Sequence, residues 1–374
     1  MFSARTSWEL LPETTTADLA LDLSSSNPTA VGLSPPASAL RALAVEEAAR
    51  YEPAPEGLRD ARLAVSDYYR ARGAAVDPDD VVLTASTSEA YSFLFHLLAD
   101  PGDELLVPSP SYPLFSLLAD LACVRIVKYP VVFAGGWCVD AGALARAVTP
   151  RTRAIVVVSP NNPTGSYLKL GERDALGATG LPLISDEVFL DYARGVDPTR
   201  APTLASRADG LTFTLSGLSK VAALPQVKLG WIALSGPAEL VSVARARLHV
   251  IADTFLSVGG PVQHAARALL AEAAAVQPAI RARVAANLAA LGHALAGAPA
   301  SVLPVEGGWS AIVRLPATRT ADEWARALLQ EGVLVQSGEL FELPVPACVV
   351  VSLLTPEATL VAGAARLRAL LDRA

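Results

Sequence analysis

LTFTLSGLSKVAALPQVKLGWI, residues 211–232, is the stretch from which the fold and the chemistry of the chain can both be read. Its first part, 212–216, alternates threonine with large apolar residues and predicts a short buried strand, and 227–234 predicts a second. Between them a turn of small residues presents Ser219 and Lys220. A lysine held among apolar neighbours at a strand mouth gives up its proton readily, because burial penalises the charged form. The neutral amine can then condense with an aldehyde, whereas in solvent the same lysine would be an ordinary turn residue.

Upstream, runs of β-branched and apolar residues predict strands at 81–85, 104–107, 123–129, 153–158 and 181–185. Helical spacing between them covers 39–51, 58–72, 88–99, 140–147 and 171–178, with a further helix starting near Tyr112. Strand and helix in alternation predict an α/β fold with a mostly parallel sheet sandwiched by helices. From 237 to 297 the chain is alanine-rich and helical, with expected breaks at Gly259-Gly260-Pro261 and at Pro278. Strands at 310–315, 333–336 and 348–354 then alternate with helices at 321–331 and 356–372, which predicts a smaller α+β domain. The expected division is a large domain over 32–255 and a small one over 1–31 plus 256–374, residues 1–40 forming an extended arm rich in Ser, Thr and Pro.

Composition excludes several classes. Against 30 basic side chains stand 37 acidic ones, a net charge of −7, and no Lys/Arg cluster is dense enough to track phosphates, so nucleic acid is not an expected partner. No apolar run approaches the ~18 residues a bilayer requires, and no secretory signal is visible, so a cytoplasmic protein without membrane contact is expected. Cys123, Cys138 and Cys348 are too scattered for a disulfide framework or a zinc site.

The loops after the predicted strands hold the polar residues, as open α/β sheets require of a ligand site. Ser86, Thr87 and Ser88 join a strand to a helix, where hydroxyls, free N–H groups and the helix dipole suit a phosphate, although an ordinary helix cap uses the same residues. SPNNPTG (159–165) places Asn162 before a rigid turn, able to donate to a phenolate oxygen. SDEVF (185–189) puts Asp186 at a strand end, where a buried carboxylate can keep a pyridine nitrogen protonated. Tyr112 lies on a proline-rich loop between them. Phosphate turn, aromatic, amide, carboxylate and lysine, each at a strand end, together suit pyridoxal phosphate.

On those residues the sequence resembles the fold type I pyridoxal-phosphate enzymes, and specifically the class I/II aminotransferases, from about residue 22 to the last helix. The resemblance implies that Lys220 carries pyridoxal 5′-phosphate as an internal aldimine. Asp186 would stand on the pyridine nitrogen, Asn162 on the 3′-oxygen, Tyr112 against the ring, and Ser86, Thr87, Ser88 and Ser219 on the phosphate. It further implies transfer of an amino group from an amino acid or related amine to an oxo acid, with Lys220 moving the Cα proton. Tyr51, in YEPAPEG, resembles a tyrosine lent to the neighbouring subunit's phosphate, which implies a homodimer.

Three positions depart from the family. Phe189 stands where a tyrosine commonly donates to the 3′-oxygen, and Lys228 where a phosphate-binding arginine is usual. Val350, in ACVVVSLL (347–354), occupies the place of the arginine that grips a substrate carboxylate, leaving Arg314 and Arg5 as substitutes to consider. The alternative outcome on the same scaffold is β- or γ-elimination by a lyase. A cofactor-sensing regulator is disfavoured, because residues 1–40 are too short and proline-rich for a DNA-binding helix-turn-helix.

Overall fold

The structure, a computed structural model, describes residues 2–8 and 21–373. In chain order its strands are β1 (Leu21–Asp22), β2 (Val81–Thr84), β3 (Glu104–Ser109), β4 (Arg125–Phe133), β5 (Trp137–Val139), β6 (Thr152–Val158), β7 (Leu183–Asp186), β8 (Thr212–Gly217) and β9 (Gly230–Ser235). They continue with β10 (Ser301–Val302), β11 (Ser310–Arg314), β12 (Val333–Leu334), β13 (Gln336–Ser337) and β14 (Cys348–Ser352). Eight of them form one sheet in the order β2-β9-β8-β7-β6-β3-β4-β5. Only β9 and β5 run against their neighbours, so β2, β3, β6, β7 and β8 all point the same way.

Both faces of this sheet are covered, which is why its strands read as continuous apolar runs rather than as alternation. Leu105 and Val107 of β3 join one core with Phe93, Leu94 and Leu248, while Leu106 between them joins another with Tyr129 and Ile155. A third core gathers around the fully buried Trp231, with the helices Arg59–Arg70 and Gly260–Ala271. The remaining strands β10, β11, β14 and β13 form an antiparallel sheet. That sheet packs with the helices Ala273–Ala294, Ala321–Gln330 and Glu357–Leu371 in a fourth core. From the N-terminal part, β1 pairs in parallel with β12 and Leu23 packs into that same core.

Several boundaries differ from expectation for local reasons. The predicted strand at 227–234 begins only at Gly230, since Pro225–Val227 form a 3₁₀ turn and Lys228 takes a left-handed conformation at φ 56°. Residues 39–51 form two 3₁₀ segments, Ala37–Leu43 and Glu46–Ala49, with no buried residue to anchor an α-helix. Pro278 interrupts nothing: the helix Ala273–Ala294 runs through it. Anchors on both sides outweigh the lost N–H bond and the ring clash, together roughly 3 kcal/mol. Gln277 donates to Asp191 and to the carbonyl of Val221, and Ile280 is fully buried. Among the described residues no helix is long and apolar enough to cross a membrane.

Candidate active site

Because β2, β3, β6, β7 and β8 are co-directional, their C-terminal ends open on one edge of the sheet, and the loops leaving them face one space. A cavity of ≈ 240 Å³ lies there, lined among others by Thr87, Ser88, Tyr112, Asn162, Asp186 and Lys220. Six of the residues expected from the sequence thus meet although they span more than 130 positions of chain. The antiparallel sheet closes the opposite wall with Trp309, Ser310, Gln336 and Ser352.

The chain has four lysines. Lys128 is paired with Glu342, Lys169 with Asp197 and Glu306, and Lys228 is exposed. Lys220 alone is enclosed without an ion-pair contact, its amine 5.0 Å from the centre of the Trp309 ring and 5.7 Å from that of Phe189. Burial lowers its pKa from the ordinary lysine value, and the charge of Asp186 opposes the shift only in part. Its backbone is pinned as well. The Tyr192 hydroxyl donates to the Lys220 carbonyl at 2.6 Å, and Gly217 lies so close to the next strand that a Cβ there would stand 2.9 Å from the Leu229 oxygen. Neighbouring Asp191 accepts from Arg72 at 2.6 and 2.8 Å and from Gln277 at 2.8 Å, tying this turn to the loop after the helix Arg59–Arg70 and to the helix Ala273–Ala294.

Asp186 ends β7 facing the cavity. Burial raises its carboxyl above the usual range, opposed by the Val188 N–H, the Tyr91 hydroxyl and Lys220. Tyr91 donates to Oδ2 at 2.9 Å, and burial together with that carboxylate pushes the phenol well above its ordinary value, so it stays a donor. Sequence reasoning missed Tyr91: it stands one helical turn beyond Ser88, so it faces the same way, but its spacing matches a core aromatic. Tyr91→Phe is expected to slow any reaction needing an ionised Asp186 roughly tenfold or more, from the ~1.5–3 kcal/mol of a hydrogen bond to a charged group, and to lower the melting temperature of the cofactor-free protein for the same reason. Single-turnover absorbance measurements on cofactor-loaded protein check it.

Glu187 points away from the cavity into a buried nest, accepting from Ser185, Thr203 and the Leu204 N–H. Burial pushes its carboxyl up to about 7. Its folded value lies above the unfolded one, so the stability it adds is complete below the unfolded value of 4.5 and is lost as pH rises toward about 7. Glu187→Gln should remove that loss, at most about 3 kcal/mol, so the difference in melting temperature between wild type and variant should change between about pH 5 and about pH 7.5.

Four expected residues do not line the cavity. The Ser86 hydroxyl accepts from the Glu89 N–H as the N-cap of the helix Thr87–Leu98, which leaves the N–H groups of Thr87 and Ser88 to face a ligand. Ser219 sits in the turn outside the lining, and Lys228 is exposed. Tyr51 is 82% exposed and lines a separate cleft with Gln263 and His264. Neither substitute cation reaches the site. Arg314 is exposed at the far end of β11 from Ser310, in register with Cys348, and Arg5 donates to the carbonyl of Leu121. Val350 is buried in the middle of β14, its register partners being Ile312 and Gln336.

Residues 20–367 match the family model described as aminotransferase class I and II. The chain belongs to that family. Two relatives of this class I/II aminotransferase chain are the glutamate-pyruvate aminotransferase AlaA of Escherichia coli and a probable N-succinyldiaminopimelate aminotransferase, DapC, of Mycobacterium tuberculosis. The first is 31% identical over 220 residues (58% of this chain, 54% of the relative) and the second 36% identical over 265 residues (66% and 64%). The matched stretch thus spans little more than half the length of the first of these curated relatives. The structure of an alanine aminotransferase from Pyrococcus furiosus superposes with a TM-score of 0.86 at 25% identity, covering 95% of this chain and 92% of that one. The fold is therefore that of the pyridoxal-phosphate-dependent aminotransferases.

The cofactor of this family needs an amine that gives up its proton readily, a fixed carboxylate and an anion seat. The enclosed Lys220, the hydrogen-bonded Asp186 and the start of the helix Thr87–Leu98 meet the three needs on one cavity wall. Asn162 completes the set: it lines the same cavity, and its Oδ1 accepts weakly from Ser310 at 3.5 Å.

Proposed function

We propose that this chain binds pyridoxal 5′-phosphate through Lys220 and transfers an amino group from an amino acid or related amine to an oxo acid or other carbonyl acceptor. The observation that carries the proposal is the enclosed Lys220 amine sharing one cavity with the buried, hydrogen-bonded Asp186. Bound, the cofactor supplies an electron sink for the charge left when a bond to the substrate's Cα breaks.

The protein does the rest. Asp186 would pair with the ring nitrogen, Tyr91 aims Asp186 and opposes the rise that burial imposes on its carboxyl, and Asn162 would donate to the phenolic oxygen. Thr87 and Ser88, with Ser86 fixing the helix start, would hold the phosphate, and Ser219 and Lys228, which do not line the cavity, would have to reach it from the neighbouring turn. Tyr112 covers the ring face. Lys220, displaced by the incoming amine, takes the proton from Cα and returns it, a role for which a depressed pKa is suited. Phe189 offers no hydroxyl and packs edge-on against Trp309 at 5.2 Å, so one phenolate donor usual in the family is missing.

We further propose a cytoplasmic homodimer in which Tyr51, exposed and remote from its own cavity, reaches the partner's phosphate. The chain divides into a large cofactor domain, about 32–255, and a small one of 1–31 and 256–374. The helix Gly260–Ala271 nevertheless packs on the large sheet with Trp231, which favours a working boundary near 273. No observation favours the eliminating lyase, and the relatives named above are aminotransferases.

The test is a half-reaction screen on loaded protein. Transfer requires loss of near-visible absorbance with one carbonyl product per site, restored by a carbonyl acceptor. Release of ammonia instead would replace transfer with elimination.

A further inference from the structure

We infer that the amine this chain accepts carries no free carboxylate on its α-carbon, and that the acceptor is the corresponding aldehyde, ketone or oxo-acyl derivative. This narrows the aminotransferase reading and rests on it. Among the described residues lining the cavity, Lys220 and Asp186 are the only charged ones. The residues outside the description, 1, 9–20 and 374, include no lysine or arginine. Lys220 is consumed by the cofactor and the reacting proton, and Asp186 adds a negative charge, as does the cofactor's phosphate. A substrate carboxylate next to Cα would enter an enclosed site with no cation to meet it, which is costly unless it is paired.

The wall facing the lysine is built for something else. Ser310, Gln336 and Ser352 provide neutral hydrogen-bonding groups, and Tyr112, Trp309 and Phe341 provide aromatic surface. Val350, beside Gln336 in register and on the same strand face as Ser352, is apolar and 1% exposed. Gln336 itself makes no side-chain hydrogen bond to another described residue. An amide, ester or plain alkyl or aryl substituent suits such a wall, because a neutral group loses little on leaving water where single neutral partners are at hand.

With the cofactor held by Lys220, Asp186 and the start of the helix Thr87–Leu98, Lys220 would carry the Cα proton to it, and the substrate nitrogen and the two electrons of the broken Cα–H bond would pass to it as well. Water would supply the oxygen of the released carbonyl compound. Nothing in that sequence requires a carboxylate on Cα. Because donor and acceptor share one cavity in turn, the restriction applies to both.

The experiment compares L-phenylalanine, L-phenylalaninamide and 2-phenylethylamine as donors, reading the second-order rate at which each removes the near-visible absorbance of loaded protein. The amide or the amine should react at least about tenfold faster than the free acid, and Gln336→Arg should shift that ratio about tenfold toward the acid. A free acid as fast as or faster than both others overturns the inference, including the case in which a second chain supplies an arginine. An unchanged ratio in the arginine variant overturns the assignment of this wall. The underlying reading is checked separately, by whether a chromophore is held on Lys220 at all, so failure of one is distinguishable from failure of the other.

Discussion

Lys220→Ala is expected to lower the amine half-reaction by at least about 10⁴-fold, because one substitution removes both the proposed covalent anchor and the group proposed to move the Cα proton. The fold should survive. The lysine side chain makes no ion-pair contact, and what pins the turn is the Tyr192 hydroxyl on the main-chain carbonyl, which alanine retains. Melting of the cofactor-free variant should match or exceed wild type, since an enclosed amine costs free energy on folding. Bound cofactor, if retained, should lack the absorbance of a lysine-linked species. Rapid-mixing absorbance and differential scanning fluorimetry read both halves of the expectation, and a variant that keeps more than about a hundredth of the wild-type rate would remove Lys220 from the chemistry.

Asp186→Asn ranks second, with a loss of about 10²–10³-fold in the same rate and a smaller effect on cofactor affinity. The amide fits the same space but cannot hold a proton on the ring nitrogen, so the electron sink weakens, while its single oxygen can still accept from the Val188 N–H and its NH2 can donate to a Tyr91 hydroxyl that turns to accept. Stability of the cofactor-free protein should move the other way. Burial holds the folded carboxyl above its unfolded value of 3.8. The stability linked to that proton is complete below the unfolded value and is lost as pH rises through the folded one. The asparagine variant escapes this loss, so its melting temperature should gain on wild type as pH is raised above about 4.

The parts of this site legible from sequence are those in which a strand end and its loop are contiguous in the chain. Asp186 ends a buried strand, Thr87, Ser88, Asn162 and Lys220 each follow one by a few residues, and the parallel sheet then brings them together without further instruction. The opposite wall was not legible. Trp309, Gln336 and Ser352 reach the cavity through the antiparallel sheet, whose placement depends on packing between distant segments such as Leu23, Trp324 and Leu360. Tyr91 was hidden because a helix face toward a ligand and one toward a core share the same spacing. Arg314 looked available only because its exposure at the far end of β11 depends on strand register, which single-chain periodicity does not give. Pro278 misled for the opposite reason, since a local breaker was overruled by tertiary anchors on either side.

The most direct test of the account is borohydride reduction of the cofactor-loaded protein, followed by peptide mapping. With only four lysines in the chain the outcome is unambiguous. One cofactor per chain is expected on the peptide containing Lys220 and none on those containing Lys128, Lys169 or Lys228. A stable adduct on any of those three, or no near-visible absorbance to reduce, would contradict it.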